Sequence, residues 1–353
     1  MAALCYSIND AAIKPRASPQ LDEISFSHDV DSAWDSSDSS PRAEPELKLM
    51  QWNVHGWRDT HHNDNFADIV AHVRSVDPDV LVLNEVLHPY ALPVTGAADY
   101  LQLVRSGQGN GFVDPQAPTD QQSYLQRLAD ETGLSHYVFG QAVEDGYFGQ
   151  YGFGNAILSR YRLADATHTV LRADSFEYAE ARRIEAEDRC VSSAVVCGPT
   201  PLTVVTTHLD QLDEGLRVQQ SRVISAQMRQ QPGSILVGDL NTYQASDYSD
   251  QGWQDICQMW ATKKWGSPPE KSATLQALAA EGLRDAHYLC KSNAGQFAKA
   301  TCWVIEPLFR IDYCLFDSEA ASRWMVEKIN RVVEATCSDH FPIVMDLAPA
   351  TTR

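Results

Sequence analysis

The sequence lacks several features that mark broad classes of protein. No apolar run in its 353 residues is long enough to span a bilayer, so we expect no membrane-spanning segment. Its first residues contain no basic stretch followed by a continuous apolar segment, so we expect no secretory signal. The eight cysteines include no Cys-x-x-Cys pair, which disfavours zinc knuckles and thioredoxin-like motifs. We therefore expect an intracellular protein, cytoplasmic or nuclear, with reduced cysteines.

Positive charge is also scarce. The chain has 28 Lys and Arg against 47 Asp and Glu, which gives a net charge of −19. Proteins that coat nucleic acid usually have the opposite sign, because phosphate contacts need Lys and Arg. A nucleic-acid substrate stays open, since a local patch bridged by a cation can suffice. The balance favours a small substrate or a single phosphate, and a metal site would account for some of the acidity.

Composition divides the chain into a tail and a large domain. Residues 1–46 are rich in Ser, Asp and Pro and have little to bury, so we predict a disordered acidic tail there. We predict one domain over residues 47–348 and a short C-terminal tail over 349–353. The chain is 44% hydrophobic and 9% aromatic, which is enough for a substantial core.

Within the domain, strand-like apolar runs alternate with helical stretches. Strands are predicted in LKLMQWNV, DPDVLVLNEV, HYVFGQAV, GNAILSR, VSSAVVCG, PLTVVTTHLD, SILVGDLN, RIDYCLFD and FPIVMDL. Helices are predicted in NFADIVAHVRSV, GLRVQQSRVISAQMRQQ, TLQALAAEG and QQSYLQRLADETG, the last of which ends at Gly133. This order predicts helices layered over packed sheets and leaves the direction of the strands open.

Polar residues repeatedly stand at or just inside the ends of these strand-like runs. Strand ends that converge on one edge of a sheet can build a site from residues far apart in sequence. The side chains offer oxygen ligands and histidines but no thiolates, which suits Mg²⁺ or Mn²⁺ better than structural zinc. The residues with this placement are Asn53, Glu85, His208, Asp239, Asn241 and Asp312, and Asp339 and His340 precede the last strand.

Each of these residues also has an ordinary structural interpretation. Glu85 could form a salt bridge with an arginine, and Asn53 could cap a turn. Asp239 and Asn241 could form an Asx-turn, and His208 could be a hydrogen-bonded histidine at a strand end. For most of these residues considered singly, the structural interpretation is preferred to a role in a site. For the residues considered together, a shared site is preferred, because so many strand ends with the same kind of polar side chain are improbable by chance.

The motifs occur in the order typical of one superfamily. The chain resembles the endonuclease/exonuclease/phosphatase (DNase I-like) superfamily over about residues 47–347, in MQWNVHGWRD, VLVLNEV, GNAILSR, TTHLD, LVGDLN, RIDYCLFD and CSDHFPI. GDLN followed at this separation by SDH-x-P is the most specific of these signals. The resemblance implies a four-layered α/β sandwich of two facing mixed β-sheets flanked by helices, with the site at one edge.

The resemblance also implies a role for each residue in binding a metal ion. Glu85 would be the main ligand of Mg²⁺ or Mn²⁺, and Asn53 would lie beside it. Asp339 would support a second or alternating metal position. A divalent ion would polarise the P–O bond and stabilise the leaving oxygen.

The catalytic roles that the resemblance implies fall on five residues. Asp239 would orient or deprotonate the attacking water, and Asn241 would hold a phosphate oxygen. His340 would bind the phosphate, with its imidazole held by Asp312. His208 would contact the phosphate or assist the leaving group.

Two further residues are weaker candidates for contact with substrate. Arg189 opens a strand and could bind phosphate, and a surface ion pair with its acidic neighbours is an equally good interpretation. Trp57 follows the first motif and could face substrate. For His61 and His62 we prefer a solvated loop.

These motifs do not assign a subfamily. GDLNTYQ and RIDYCLFD depart from the inositol polyphosphate phosphatases, and His55 stands where the resemblance to abasic-site endonucleases would require an Asp. The sequence therefore predicts a divalent-metal-dependent phosphoester hydrolase, acting on nucleic acid or on a small phosphorylated molecule. The alternative is a catalytically silent phosphate- or nucleic-acid-binding module on the same fold. No protein partner is predicted.

Overall fold

A computed structural model of the protein describes residues 46–88, 122–143, 152–172 and 187–350. Of the tail predicted over 1–46, all but residue 46 lies outside these ranges. No helix in the described ranges is long and apolar enough to cross a membrane. The cysteines of these ranges form no disulfide. The last strand extends to Pro349, one residue beyond the predicted end of the domain.

Twelve strands lie in the described ranges. In chain order they are β1 (Leu47–Asn53), β2 (Val80–His88), β3 (His136–Val143), β4 (Gly152–Ser159), β5 (Leu163–Leu171), β6 (Arg189–Val196), β7 (Leu202–His208), β8 (Ser234–Asp239), β9 (Arg284–Asp285), β10 (Asp312–Phe316), β11 (Trp324–Arg331) and β12 (Ile343–Pro349).

The strands form two mixed sheets of six. The first sheet has the order β11-β12-β1-β2-β4-β3, and the second has the order β5-β6-β7-β8-β10-β9. Each sheet contains one parallel pair near its centre, β1 with β2 in the first and β7 with β8 in the second. The remaining neighbours are antiparallel. Both sheets are thus mixed, as the resemblance to the superfamily implied.

The α-helices of the described ranges are α1 (Phe66–Val76), α2 (Tyr124–Thr132), α3 (Glu214–Met228), α4 (Asp250–Lys263), α5 (Ala273–Ala280), α6 (Ala286–Leu289) and α7 (Ser318–Arg323). Local sequence sets their ends. Ser123 and Gln126 form a capping box at the start of α2, and Gly133 ends that helix at a φ of 74°. The predicted end of this helix at Gly133 is confirmed. Asp213 caps α3 by accepting from the backbone N–H of Leu216.

Among the described residues, two apolar clusters lie between layers of the sandwich. The larger one fills the space between the sheets, with Leu49 and Val82 from the first sheet against Val237 and Phe316 from the second. The other lies between the outer face of the second sheet and helices α3 and α5. On the outer side of the first sheet, His72 of α1 meets the Trp52 ring edge-on. The predicted four-layered α/β sandwich is confirmed.

Candidate active site

The pairing of the strands brings distant polar residues to one edge of the sandwich. Because β7 and β8 are parallel, their carboxyl ends lie side by side, and His208 pairs in register with Asp239. Because β10 runs antiparallel to β8, its first residue, Asp312, pairs with Asp239 from the other side. Asn53 ends β1 at the same edge and reaches across the space between the sheets to Asp239.

Asp239 is the centre of this edge. Its side chain is fully buried, and its Oδ1 accepts from the backbone N–H of Asn241 at 2.9 Å. Its Oδ2 lies 3.6 Å from Nε2 of His208 and 3.7 Å from Nε2 of His340. Burial, and then the negative charge of Asp312, raise the pKa of Asp239 above its usual range. The carboxylate is therefore in a setting that favours proton uptake.

Asp312 and His340 form a buried pair on one side of Asp239. Oδ2 of Asp312 lies 2.8 Å from Nδ1 of His340, and both side chains are fully buried. A carboxylate at this position makes Nδ1 the donor and favours the protonated imidazole. The geometry therefore directs Nε2 of His340 towards Asp239.

His208 lies on the other side of Asp239 in a different electrostatic setting. Its Nδ1 is 3.3 Å from Nη1 of Arg189, and its Nε2 is 2.9 Å from Nδ2 of Asn241. Burial, and then the positive charge of Arg189, lower the pKa of His208 well below its usual range. His208 is therefore neutral at pH 7.

A β-bulge directs Glu85 to the same edge. The register between β2 and β4 shifts between Leu83 and Val86, and Glu85 has a φ of 56°, which is rare for a non-glycine residue. Nδ2 of Asn53 lies 3.0 Å from Oε1 of Glu85 and 3.2 Å from Oδ2 of Asp239. Asn53 therefore links these two carboxylates.

Asp339 is buried beside the histidines. Burial alone would raise its pKa, but His55, His340 and hydrogen bonds to the carboxylate together lower the pKa of Asp339 below the usual range. Its carboxylate is therefore ionised. Oδ1 lies 3.4 Å from the hydroxyl of Ser338.

The chemistry of the donors at this edge fits a divalent cation. Among the residues that the structure describes, Asp239, Asp312 and His340 offer one ligand atom each within 4.8 Å of one another. Oδ1 of Asn241 is buried there without a hydrogen-bond partner. Carboxylate, amide and imidazole ligands suit Mg²⁺ or Mn²⁺. Asp239, Asp312 and His340 are three of the five predicted catalytic residues, whereas the predicted metal ligand Glu85 is linked to Asp239 through Asn53.

The two weaker candidates have different surroundings. Arg189 is almost fully buried, with Nη2 3.4 Å from Oε2 of the partly exposed Glu187, so the expected ion pair exists but its arginine does not lie on the surface. Nε and Nη2 of Arg189 have no hydrogen-bond partner among the described residues. Trp57 is also buried. Its indole N–H donates to the carbonyl of Leu87, and its ring meets Phe66 and Tyr124 edge-on. The expected contact between Trp57 and substrate is corrected, because this side chain packs in the core.

Sequence reasoning missed two buried amides beneath the site. Gln51 donates to Oδ1 of Asp312 at 2.8 Å and to Oδ1 of Asn84 at 3.1 Å. Asn84 accepts from the backbone N–H of Asp239 at 3.1 Å and donates to the carbonyl of Thr207. Both side chains cross from the first sheet to the second, so they hold the two halves of the site in register. A polar residue at an inward position of an apolar strand is the signal that could have found them.

Comparisons with known proteins bear on this fold and site. The model of the Endonuclease/Exonuclease/phosphatase family matches residues 50–340. No curated protein matched in a sequence search.

Solved structures share the fold at low sequence identity. An endonuclease/exonuclease/phosphatase from Beutenbergia cavernae has a TM-score of 0.57 at 20% identity over 86% of this chain and 72% of that one. A 3′ phosphatase from Neisseria, bound to a product DNA hairpin, has a TM-score of 0.51 at 18% identity over 86% and 99%. A mannosyl-6-phosphatase from Bacteroides thetaiotaomicron has a TM-score of 0.52 at 14% identity over 86% and 99%. With most of its length matched by the family model, this chain belongs to the endonuclease/exonuclease/phosphatase family.

Proposed function

We propose that this protein is a phosphoester hydrolase that depends on Mg²⁺ or Mn²⁺ and acts at the edge where Asn53, Glu85, Asp239 and His340 meet. The single observation that carries the proposal is the position of Asp239. One of its buried oxygens lies within 3.7 Å of both His208 and His340 and accepts from Asn53. A carboxylate held between two imidazoles can accept a proton from a nucleophile beside a bound phosphate.

The residues that would hold the cation are Glu85, Asn53 and Asp239, with Asp339 at a second position. Their fit is supported by the crowding of negative charge, since Asp312 and Glu85 both raise the pKa of Asp239 after burial has done so. When bound, the cation would polarise the P–O bond and neutralise charge on the leaving oxygen. Without it, the buried carboxylates repel one another at a cost in stability.

The nucleophile in this proposal is a water molecule that Asp239 orients. A carboxylate beside the attacking water can act as general base, and Asp239 lies between the two imidazoles that would bind the phosphate. Asp239 therefore takes the proton as the water attacks phosphorus in line with the leaving oxygen. Asn241, whose backbone N–H holds Oδ1 of Asp239, would present its side chain to a phosphate oxygen.

Two histidines would bind the phosphate with different charges. His340, paired with Asp312, donates from Nε2 to a phosphate oxygen and stabilises the charge that grows on it. His208 is neutral, so it would add a hydrogen bond without adding charge. The buried guanidinium of Arg189 supplies the positive charge on that side.

The substrate is tested best with a panel of esters. The structures of similar fold include a 3′ phosphatase bound to a DNA hairpin and a mannosyl-6-phosphatase, so the panel should contain DNA ends and sugar phosphates. Bis(p-nitrophenyl) phosphate and p-nitrophenyl phosphate separate diesterase from monoesterase activity. We expect turnover of at least one of these compounds with Mg²⁺ or Mn²⁺ and none after chelation. Metal-independent binding of phosphate with no turnover of any ester would instead identify a catalytically silent binding module.

A further inference from the structure

A short apolar hairpin is attached to the backbone of the site residues Asp339 and His340. We call residues 303–308 the apolar hairpin; their sequence is WVIEPL, with Glu306 as the one charged residue. Backbone hydrogen bonds between Cys302 and Phe309 close its base at 2.7 and 2.9 Å. The hairpin is therefore a defined loop with both ends fixed.

Two backbone contacts attach this hairpin to the site. Cys302 forms a β-bridge with His340. The backbone N–H of Val304 donates to the carbonyl of Asp339 at 3.2 Å. The apolar hairpin therefore begins at the residue after Cys302, and Cys302 is paired with His340, the proposed phosphate-binding histidine.

The hairpin is anchored on its inner side and open on its outer side. The Trp303 ring meets the buried Phe309 ring edge-on at 5.4 Å, and Phe309 packs on Tyr243 at 5.0 Å. Ile305 is 71% exposed, the highest value among the large hydrophobic side chains of the described residues. Trp303, Val304 and Leu308 are partly exposed beside it. Contiguous apolar surface next to a polar cleft marks a binding surface more often than isolated apolar side chains do.

The charge of the hairpin restricts which class of ligand can bind over it. It contains no Lys or Arg, it carries Glu306, and the chain has a net charge of −19. A polyanion such as nucleic acid needs cations along its path, and an anionic membrane does too. A small ester with an uncharged apolar group meets neither obstacle. Its phosphate would lie at His340, and its apolar group would extend over Ile305.

We propose that the apolar hairpin binds an uncharged alkyl or aryl substituent of the phosphoester, so that the preferred substrates are small phosphodiesters with one apolar ester group. This inference rests on the proposed hydrolase function. Each methylene that a protein surface covers contributes about 0.8 kcal/mol, or roughly fourfold in affinity. A hairpin with fixed ends is already ordered, so little of this gain is lost on binding.

The test uses p-nitrophenyl phosphodiesters whose second ester group is methyl, butyl or octyl, below the concentration at which they form micelles. The leaving group is the same throughout, so differences in kcat/KM report on the substituent. We compare the wild type with Ile305→Ser and with Val223→Ser, which removes another exposed side chain, on α3. In the wild type and in Val223→Ser, kcat/KM should rise at least tenfold from methyl to octyl. In Ile305→Ser the rise should shrink to a few-fold, while the methyl ester is hydrolysed at the wild-type rate.

Several results would overturn the proposal. One is a wild-type kcat/KM that does not depend on chain length, and another is an Ile305→Ser variant with an unchanged dependence. A third is co-sedimentation of the wild type, but not Ile305→Ser, with phosphatidylcholine vesicles, which would identify a lipid surface instead. A fourth is inhibition by oligothymidylate that Ile305→Ser relieves, which would identify nucleic acid. If no ester is hydrolysed, the hydrolase function fails separately, and calorimetric titration with methyl and octyl phosphate then tests the hairpin alone.

Discussion

The two ends of the space between the sheets differ in chemistry, although the same strands build both. At one end the inward side chains are apolar, and at the other end they are polar and buried. In β1 the inward side chains change from apolar to polar between Leu49 and Gln51, and in β8 they change between Val237 and Asp239. In β10, which runs the other way, the order is reversed from Asp312 to Cys314 and Phe316.

The apolar end of this core therefore contributes mainly to stability, whereas the polar end contains the groups proposed to act in catalysis. Apolar side chains gain free energy when they leave water, whereas a buried carboxylate loses free energy unless it is paired. The polar end brings Glu85, Asp239 and Asp312 close to one another and also contains the buried Asp339, an accumulation of acidic groups that a protein selected for stability alone would avoid. We therefore expect substitutions at the apolar end to change unfolding and substitutions at the polar end to change turnover.

The largest effect should follow removal of the central carboxylate. Asp239→Asn deletes the proposed base, so kcat should fall by about 10²–10⁴. The fold should persist, because an amide can keep the hydrogen bond from the N–H of Asn241. Steady-state hydrolysis of bis(p-nitrophenyl) phosphate measures the change. Asp165→Asn, an exposed substitution on β5, is the matched control. Wild-type turnover by Asp239→Asn would mean that another group is the base.

The apolar end should respond in stability instead. Phe316→Ala empties a fully buried site between the sheets and should lower the free energy of unfolding by about 3–5 kcal/mol. Urea denaturation measures the loss, and Phe297→Ala, at a 54% exposed position, should change it by less than about 0.5 kcal/mol. The folded fraction of Phe316→Ala should retain the kcat of the wild type. A large fall in kcat for folded protein would contradict the separation of the two ends.

The next largest effect should follow substitution of His340, the histidine paired with Asp312. His340→Gln removes the proposed donor to the phosphate and should lower kcat by about 10²–10³. Since Asp312 acts through His340, Asp312→Asn should lower kcat as well, and the double variant should be little worse than His340→Gln alone. Kinetics of the two single variants and the double variant form a double-mutant cycle. Additive losses would show that the two residues act independently.

A smaller effect is expected from the amide beneath this pair. Gln51→Leu leaves Oδ1 of Asp312 without its 2.8 Å donor, and a buried acceptor without a partner costs about 1–3 kcal/mol. If the residue positions Asp312 for catalysis, kcat should fall about tenfold while KM changes little. Gln254→Leu, at an exposed position of α4, should leave both constants unchanged. A loss of stability with normal kcat would assign Gln51 a structural role only.

The smallest effect is a dependence of stability on pH. The pKa of His208 is lowered in the folded protein, so below pH 6.5 the unfolded chain binds a proton that the folded chain does not. Protonation of His208 in the unfolded chain therefore lowers the free energy of unfolding, by an amount on the order of 1 kcal/mol, as pH falls from 7 to 5. His208→Gln should reduce the loss that urea denaturation measures between these two pH values. An equal loss in both proteins would mean that His208 is not buried in its neutral form.

Sequence patterns predicted the layers and the set of polar strand ends, because both follow from features that repeat locally. The alternation of strands and helices, together with the motif order, indicated the sandwich. The polar strand ends indicated which side chains could meet at one edge, and Asp239, Asp312 and His340 do meet there.

The remaining features depend on packing between segments far apart in sequence. Trp57 was assigned to substrate, but Tyr124 of α2 packs on its ring. Gln51 lies in a strand that is otherwise apolar, and its function is visible only once Asp312 faces it from the other sheet. The bulge that directs Glu85 is a property of the pairing of β2 with β4 rather than of β2 alone. Arg189 forms the expected ion pair with Glu187, but its own side chain is buried rather than at the surface.

Calorimetric titration of Mn²⁺ into chelated protein tests the central claim most directly. If Glu85, Asn53 and Asp239 together hold a cation, the wild type should bind Mn²⁺ saturably, and Glu85→Gln should weaken this binding at least tenfold. Glu270→Gln, at an exposed position, should bind like the wild type. Equal Mn²⁺ affinity in the wild type and Glu85→Gln, or no binding by either protein, would contradict the account.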